Sequence, residues 1–111
     1  MLNRRNRLLT SNDFRIVLRR GRKFPVNGGL IAILRTDVAE PLRFGFVVSK
    51  AVGNAVVRNR VKRRLRAASS LLAHDYRGAD VVVRTDQQSP HISVEQWGRD
   101  LSASLTKVAG Q

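Results

Sequence analysis

The chain has 111 residues and no cysteine, which allows one domain with a modest core and rules out disulfides and thiolate metal sites. Its 21 Lys and Arg against 8 Asp and Glu leave a net charge of +13, far beyond what solubility requires. The partner to expect is a polyanion, either nucleic acid or an anionic membrane surface. The longest apolar run, Leu30-Ile-Ala-Ile-Leu34, is too short to span a bilayer, and no leader-like apolar segment precedes a cleavage site, which argues against membrane insertion and secretion.

In chain order, Met1 to Leu9 reads as a basic arm carrying Arg4, Arg5 and Arg7. Thr10 with Asp13 three residues later has the form of a capping box, and Phe14, Val17 and Leu18 follow at helical spacing until Gly21. The spacing predicts a helix from Ser11 to Arg20 whose outer face shows Arg15, Arg19 and Arg20 and continues into Arg22 and Lys23. Val26 to Arg35, interrupted by Asn27-Gly28-Gly29, reads as extended structure with a bend or bulge. Thr36 to Pro41 is a turn. Leu42, Phe44, Phe46 and Val48 alternate as a half-buried strand requires.

Gly53-Asn54 ends that strand, and Asn54 is placed to cap a basic helix running to about His74. Ala79 to Arg84 is a short β-branched strand followed by a loop from Asp86 to Pro90. Ser93 and Gln96 form a second capping box with Ile92 and Trp97 at staple positions, and Val94, Trp97, Leu101, Leu105 and Val108 make a helical stripe. The expected class is α+β, with helices packed against one sheet in a single domain over residues 1–111, of which 1–9 form the arm.

The charge is unevenly placed. Up to Leu72 there are 17 Lys and Arg against 3 Asp and Glu, and from Ala73 onward 4 against 5. Six of those cations fall between Arg58 and Arg66 with no acid among them. On a helix stepping about 100° per residue, Val57, Val61, Leu65, Ala68 and Leu72 form one apolar stripe. Arg58, Asn59, Lys62, Arg63 and Arg66 share the face beside it, and Arg60 and Arg64 fall on the other flank. No acid at three or four residues neutralises any of them, so this folded element presents charge to a polyanion.

No catalytic constellation accompanies it. His74 and His91 have no nearby pattern of acids, and Asp13, Asp75, Asp80, Asp86, Glu95 and Asp100 are scattered among turns and caps, so neither a catalytic site nor a metal cage is expected. The glycines at 28–29 and 53 lack the spacing of a phosphate-binding loop. Phe14, Phe24, Phe44 and Phe46 are candidates for stacking on single-stranded bases, with core packing the competing role, stronger for Phe46 and even for Phe14.

Lys50-x-x-Gly53-Asn54-Ala55-Val56-x-Arg58-Asn59-Arg60-x-Lys62-Arg63-x-x-Arg66 resembles the signature of the bacterial ribonuclease P protein subunit. So do Arg5-Asn6-Arg7-Leu8 before a helix with Asp13-Phe14, the Gly-x-x-x-Ser-Lys strand from Gly45 to Lys50, and Asp80-Val-Val-Val-Arg84. The resemblance implies a two-layer α+β sandwich in the order αβββαβα with a left-handed βαβ crossover, like the second domain of a small-subunit ribosomal protein. It also implies binding to a catalytic RNA and to the single-stranded 5′ leader of precursor tRNA in the bacterial cytoplasm, with hydrolysis carried out by the RNA and its Mg²⁺. No organic cofactor, DNA or membrane partner is implied.

Carried over by position, Lys50, Asn54, Arg58, Asn59, Arg60, Lys62, Arg63 and Arg66 would meet RNA. Phe14, Leu18 and Ile33 would line a leader cleft between the first helix and the sheet, and Arg4, Arg5 and Arg7 would add basic contacts. Leu18 and Ile33 stand where relatives often have aromatic side chains, so apolar contact would replace stacking there. A structural RNA-binding protein of ribosomal type would share the charge and the fold class without needing a groove for one extended strand. A DNA-binding regulator would need selective base reading by a recognition helix, and no helix-turn-helix spacing is present.

Overall fold

Thr10 opens the first helix by accepting the Asp13 backbone N–H on its hydroxyl at 3.1 Å, as its capping pattern requires. In the computed structural model, which describes residues 2–108, α1 spans Ser11–Arg20 and ends at Gly21. Three strands follow: β1 (Arg22–Val26), β2 (Gly29–Arg35) and β3 (Arg43–Val47). The basic helix α2 (Ala55–Leu72) precedes β4 (Ala79–Thr85), and α3 (Val94–Val108) completes the fold. The order αβββαβα and the α+β class are those expected.

The four strands form one sheet in the order β1-β2-β4-β3. β1, β2 and β4 run antiparallel, while β3 lies parallel to β4 and reaches it through α2. Strand alternation assigns the two faces. Ile31, Ile33, Phe44, Val81 and Val83 pack with Val61 and Leu65 of α2 and Trp97, Leu101 and Leu105 of α3 in the main core. Ala32 and Val82 point the other way, onto Val17 of α1 and Leu8, with Phe14, Leu18, Leu34 and Val47 around them. β4 is therefore covered on both sides, which is why three consecutive valines suit it.

The expectation for residues 22–29 needs correction. Arg22 and Lys23 do not prolong α1, although Lys23 Nζ reaches back to its C-terminal end and donates to the Arg19 and Gly21 carbonyls at 3.4 and 3.1 Å. They begin β1, which pairs with β2 across the two-residue turn Asn27-Gly28, in register Val26↔Gly29. What read as a bend or bulge is a hairpin, and Gly28 is seated on the Trp97 indole so closely that a Cβ would stand 2.6 Å from the ring. Pro25 is tolerated because β1 is an edge strand.

Two anchors settle the remaining segments. The arm is packed along β3: Leu2 and Leu8 are buried, Asn6 Nδ2 donates to the Leu42 carbonyl at 2.7 Å, and the Leu8 N–H donates to the Phe44 carbonyl at 2.8 Å. Arg43 and Asp80, opposite each other on β3 and β4, form a two-pronged ion pair at 2.9 and 2.7 Å. The hydrogen bond to Asp80 raises the already high pKa of Arg43.

Candidate nucleic-acid interface

α2 exists where it does because Gly53, at φ 152°, turns the chain sharply into Asn54, whose side-chain oxygen accepts the Val57 N–H at 3.0 Å. The helix then lays Val61, Leu65, Ala68 and Leu72 into the core, as the stripe predicts. That rotation fixes every cation. Arg58, Lys62 and Arg66 recur at four-residue spacing along one flank and are half-buried, as long cationic side chains laid along a protein surface are. The Arg58 Nε is buried without a hydrogen-bond partner. Asn59 and Arg63 are exposed on the outer face.

The opposite flank behaves differently. Arg64 donates to the Pro90 and Ile92 carbonyls at 2.8 and 3.3 Å, tying α2 to the turn before α3. Arg60, one turn earlier on the same flank, is exposed and faces away from Lys62. The predicted RNA-binding set is thus divided over three sides of the helix, with Lys50 and Asn54 exposed at its entry.

Where the Lys62 flank meets the sheet there is a cleft of about 170 Å³ at the outer edge of β3, lined by Arg7, Leu8, Phe14, Phe44, Gly45, Phe46, Lys62 and Arg66. It joins residues from the arm, α1, β3 and α2. Phe14 is half-buried and lies against Gly45, where a Cβ would stand 2.5 Å from its ring. Only glycine lets the aromatic ring settle onto the strand. Phe44 and Phe46 stack at 6.4 Å between centroids on the α2 side of β3, so aromatic surface borders the cleft from both faces of the strand. Past Gly45 the α1-side floor continues to Val47, which lines a second hollow of about 330 Å³ with Leu30, Ser49 and Arg84.

Of the three residues expected to line this region, Phe14 does so and Leu18 packs beside it on the α1 side. Ile33 does not. It is 1% exposed in the core on the opposite face, because alternation along β2 turns Leu30, Ala32 and Leu34 toward α1 and Ile31 and Ile33 toward α2 and α3. Arg7 borders the cleft, while Arg4 and Arg5 are exposed in a short 3₁₀ turn beside it. Phe24 lies on β1, at the far edge of the sheet, under the Arg22 and Lys107 cations at 5.1 and 5.8 Å from its centroid. It takes no part in the cleft.

This assembly coincides with a known family. The ribonuclease P family model matches residues 2–109. The ribonuclease P protein component of Clavibacter michiganensis is 46% identical over 109 residues, covering 97% of this chain and 96% of that protein. The corresponding protein of Beutenbergia cavernae is 44% identical over 109 residues, covering 97% and 92%. The chain belongs to the ribonuclease P protein family.

The fold agrees with that membership. The ribonuclease P protein of Staphylococcus aureus superimposes with a TM-score of 0.78 at 24% identity, over 92% of this chain and 94% of that one. As a ribonuclease P protein component, the chain is a subunit of an endoribonuclease. Among the described residues no helix is long and apolar enough to cross a membrane, and no three His, Cys, Asp or Glu gather as a metal-binding group.

Sequence reading missed the contribution of β3 to this ribonuclease P protein's cleft. Phe44 and Phe46 stood out as aromatics, and alternation showed that they share a face. The neighbouring Gly45 carried the stronger signal: a glycine inside a strand marks a close approach, here by Phe14.

Proposed function

We propose that the chain holds the catalytic RNA of ribonuclease P through the outer face and Lys62 flank of α2, and guides the single-stranded 5′ leader of precursor tRNA through the cleft at β3. The observation that carries this reading is the meeting of Phe14 and Gly45 with Arg7, Lys62 and Arg66 in one narrow cleft. Aromatic surface accepts a base face and flanking cations accept the phosphates on either side of it, which is the chemistry of single-strand binding. A leader would run from the cations of α2, across the β3 edge and Phe14, toward Val47, Leu30 and Arg84.

Hydrolysis is assigned to the RNA subunit and its Mg²⁺, in the bacterial cytoplasm where precursor tRNA is processed. A ribozyme and a tRNA repel each other, so a cationic adaptor raises their affinity and lowers the Mg²⁺ needed to screen them. Arginine suits the task because its planar fork holds a phosphate through two hydrogen bonds or stacks on a base. The test is reconstitution. The purified protein alone should cleave nothing, and added to a bacterial ribonuclease P RNA it should restore 5′ processing of precursor tRNA at low Mg²⁺. Robust cleavage by RNA-free protein, or no effect on the RNA's Mg²⁺ requirement, contradicts the reading.

A further inference from the structure

The cleft at β3 leaves unexplained a second, larger concavity on the other side of α2. Two adjoining hollows of about 620 and 570 Å³ run between α2 and α3 and share Leu71 and Val94. Each falls in the range of about 300 to 1,000 Å³ usual for small-ligand sites. Leu71 is 71% exposed there and offers apolar surface to an occupant. Between its charged ends the walls are Leu72 and small residues such as Ala67, Ala68, Ser102 and Ala103, and at Gly98 of α3 a Cβ would meet nothing within 4 Å. The groove is open because α3 carries no side chain where it would have been filled.

Its two ends differ in charge. At one end stand Arg63 and Arg66, neither of which has a hydrogen-bond or ion-pair partner among the described residues. The other end carries Glu95, and Arg99 there is already engaged with Gln96. A phosphate is therefore drawn to the first end, whereas at the second the charge of Arg99 is offset by Glu95. Arg66 also borders the β3 cleft, so this groove is continuous with the RNA-facing side of α2.

We infer that the groove between α2 and α3 receives an unstacked nucleotide of the RNA subunit, its base against Leu71 and Val94 and its phosphate on Arg63 and Arg66. The inference rests on the RNA-binding reading above and adds a second, base-accepting site to it. An apolar slot alone suits many occupants. One that opens at a pair of unpaired arginines, in a chain of net charge +13, suits a flat base attached to a phosphate.

Two variants and one crosslink test this in the reconstituted holoenzyme. Gly98→Leu fills the groove while improving helix propensity, so the melting temperature should hold or rise as affinity for the ribonuclease P RNA drops by about five-fold or more. Leu71→Asn, at an exposed position, should weaken RNA binding in the same direction with the fold retained. A photo-crosslinker attached at Gly98→Cys should label the RNA subunit. If the crosslinker labels a second copy of the chain or nothing, and both variants bind RNA normally while Lys62→Ala binds weakly, the groove inference is overturned and the proposed function stands. If Lys62→Ala also binds normally, both fail.

Discussion

Gly45 decides how close the aromatic wall of the cleft comes to the sheet. Adding one methyl group there places it 2.5 Å from the Phe14 ring, so Gly45→Ala should push the ring outward and cost about 1 to 3 kcal/mol through overpacking. Thermal unfolding should show that loss, together with weaker discrimination for leader-bearing tRNA; unchanged binding would mean the ring's seat on β3 is irrelevant to the leader. Asp80 works by a different route. Its side chain is 8% exposed and Arg43's is 33% exposed, so Asp80→Ala leaves a guanidinium that water can partly reach. The full cost of breaking a buried pair, about 3 to 5 kcal/mol, is accordingly discounted to about 1 to 3 kcal/mol. Denaturant unfolding measures it, and RNA affinity per folded molecule should not move.

Among the elements, α2 sets a hydrogen-bonded cation, Arg64, beside an exposed one, Arg63, which the proposed function assigns to RNA. Arg64→Ala removes the hydrogen bonds to the Pro90 and Ile92 carbonyls and should lower stability by about 1 to 2 kcal/mol with the salt dependence of RNA binding intact. Arg63→Ala should leave stability within about 0.5 kcal/mol and flatten the log-log salt slope by roughly 0.7 to 0.9. The reverse pattern would mean that Arg63 anchors the helix and Arg64 meets the RNA. Asn54→Ala removes the cap at Val57 and should cost about 1 kcal/mol.

This helix was legible in the sequence because cap, stripe and charge all repeat at local spacing. The same holds for α1, whose bounds follow from Thr10 and Gly21. β1 was not legible: Arg22-Lys-Phe-Pro-Val has the polarity and the proline of a loop, and it becomes a strand only by pairing with β2 through the Asn27-Gly28 turn. Nor could alternation alone say which side of β2 meets α1. It groups Ile31 with Ile33, but their burial against α2 and α3 depends on where β4 joins. The cleft draws on residues as far apart as Arg7 and Arg66, a juxtaposition set by topology, and in the sequence only the family resemblance pointed toward it.

At the scale of the whole molecule, the net charge of +13 is concentrated before Ala73, while α3 mainly buries Trp97, Leu101 and Leu105. On the proposed function, most of the RNA-facing cations lie in the first part, and α3 braces the sheet that supports them. Such an adaptor should act chiefly by bringing two RNAs together, so its benefit should shrink as salt or Mg²⁺ rises and screening replaces it. Phe14→Ala in the reconstituted holoenzyme is the decisive test of the proposed leader cleft. Affinity is measured for precursor tRNA bearing its leader and for mature tRNA, with a melting curve of the variant alongside. Loss of one base-stacking contact should weaken precursor binding by about 1 to 3 kcal/mol, toward the lower end because Leu18 beside it offers apolar contact instead of stacking, and leave mature tRNA binding nearly unchanged. A melting loss of about 3 to 5 kcal/mol, the cost of emptying a core site, with both tRNAs bound equally less well or equally unchanged, would contradict it.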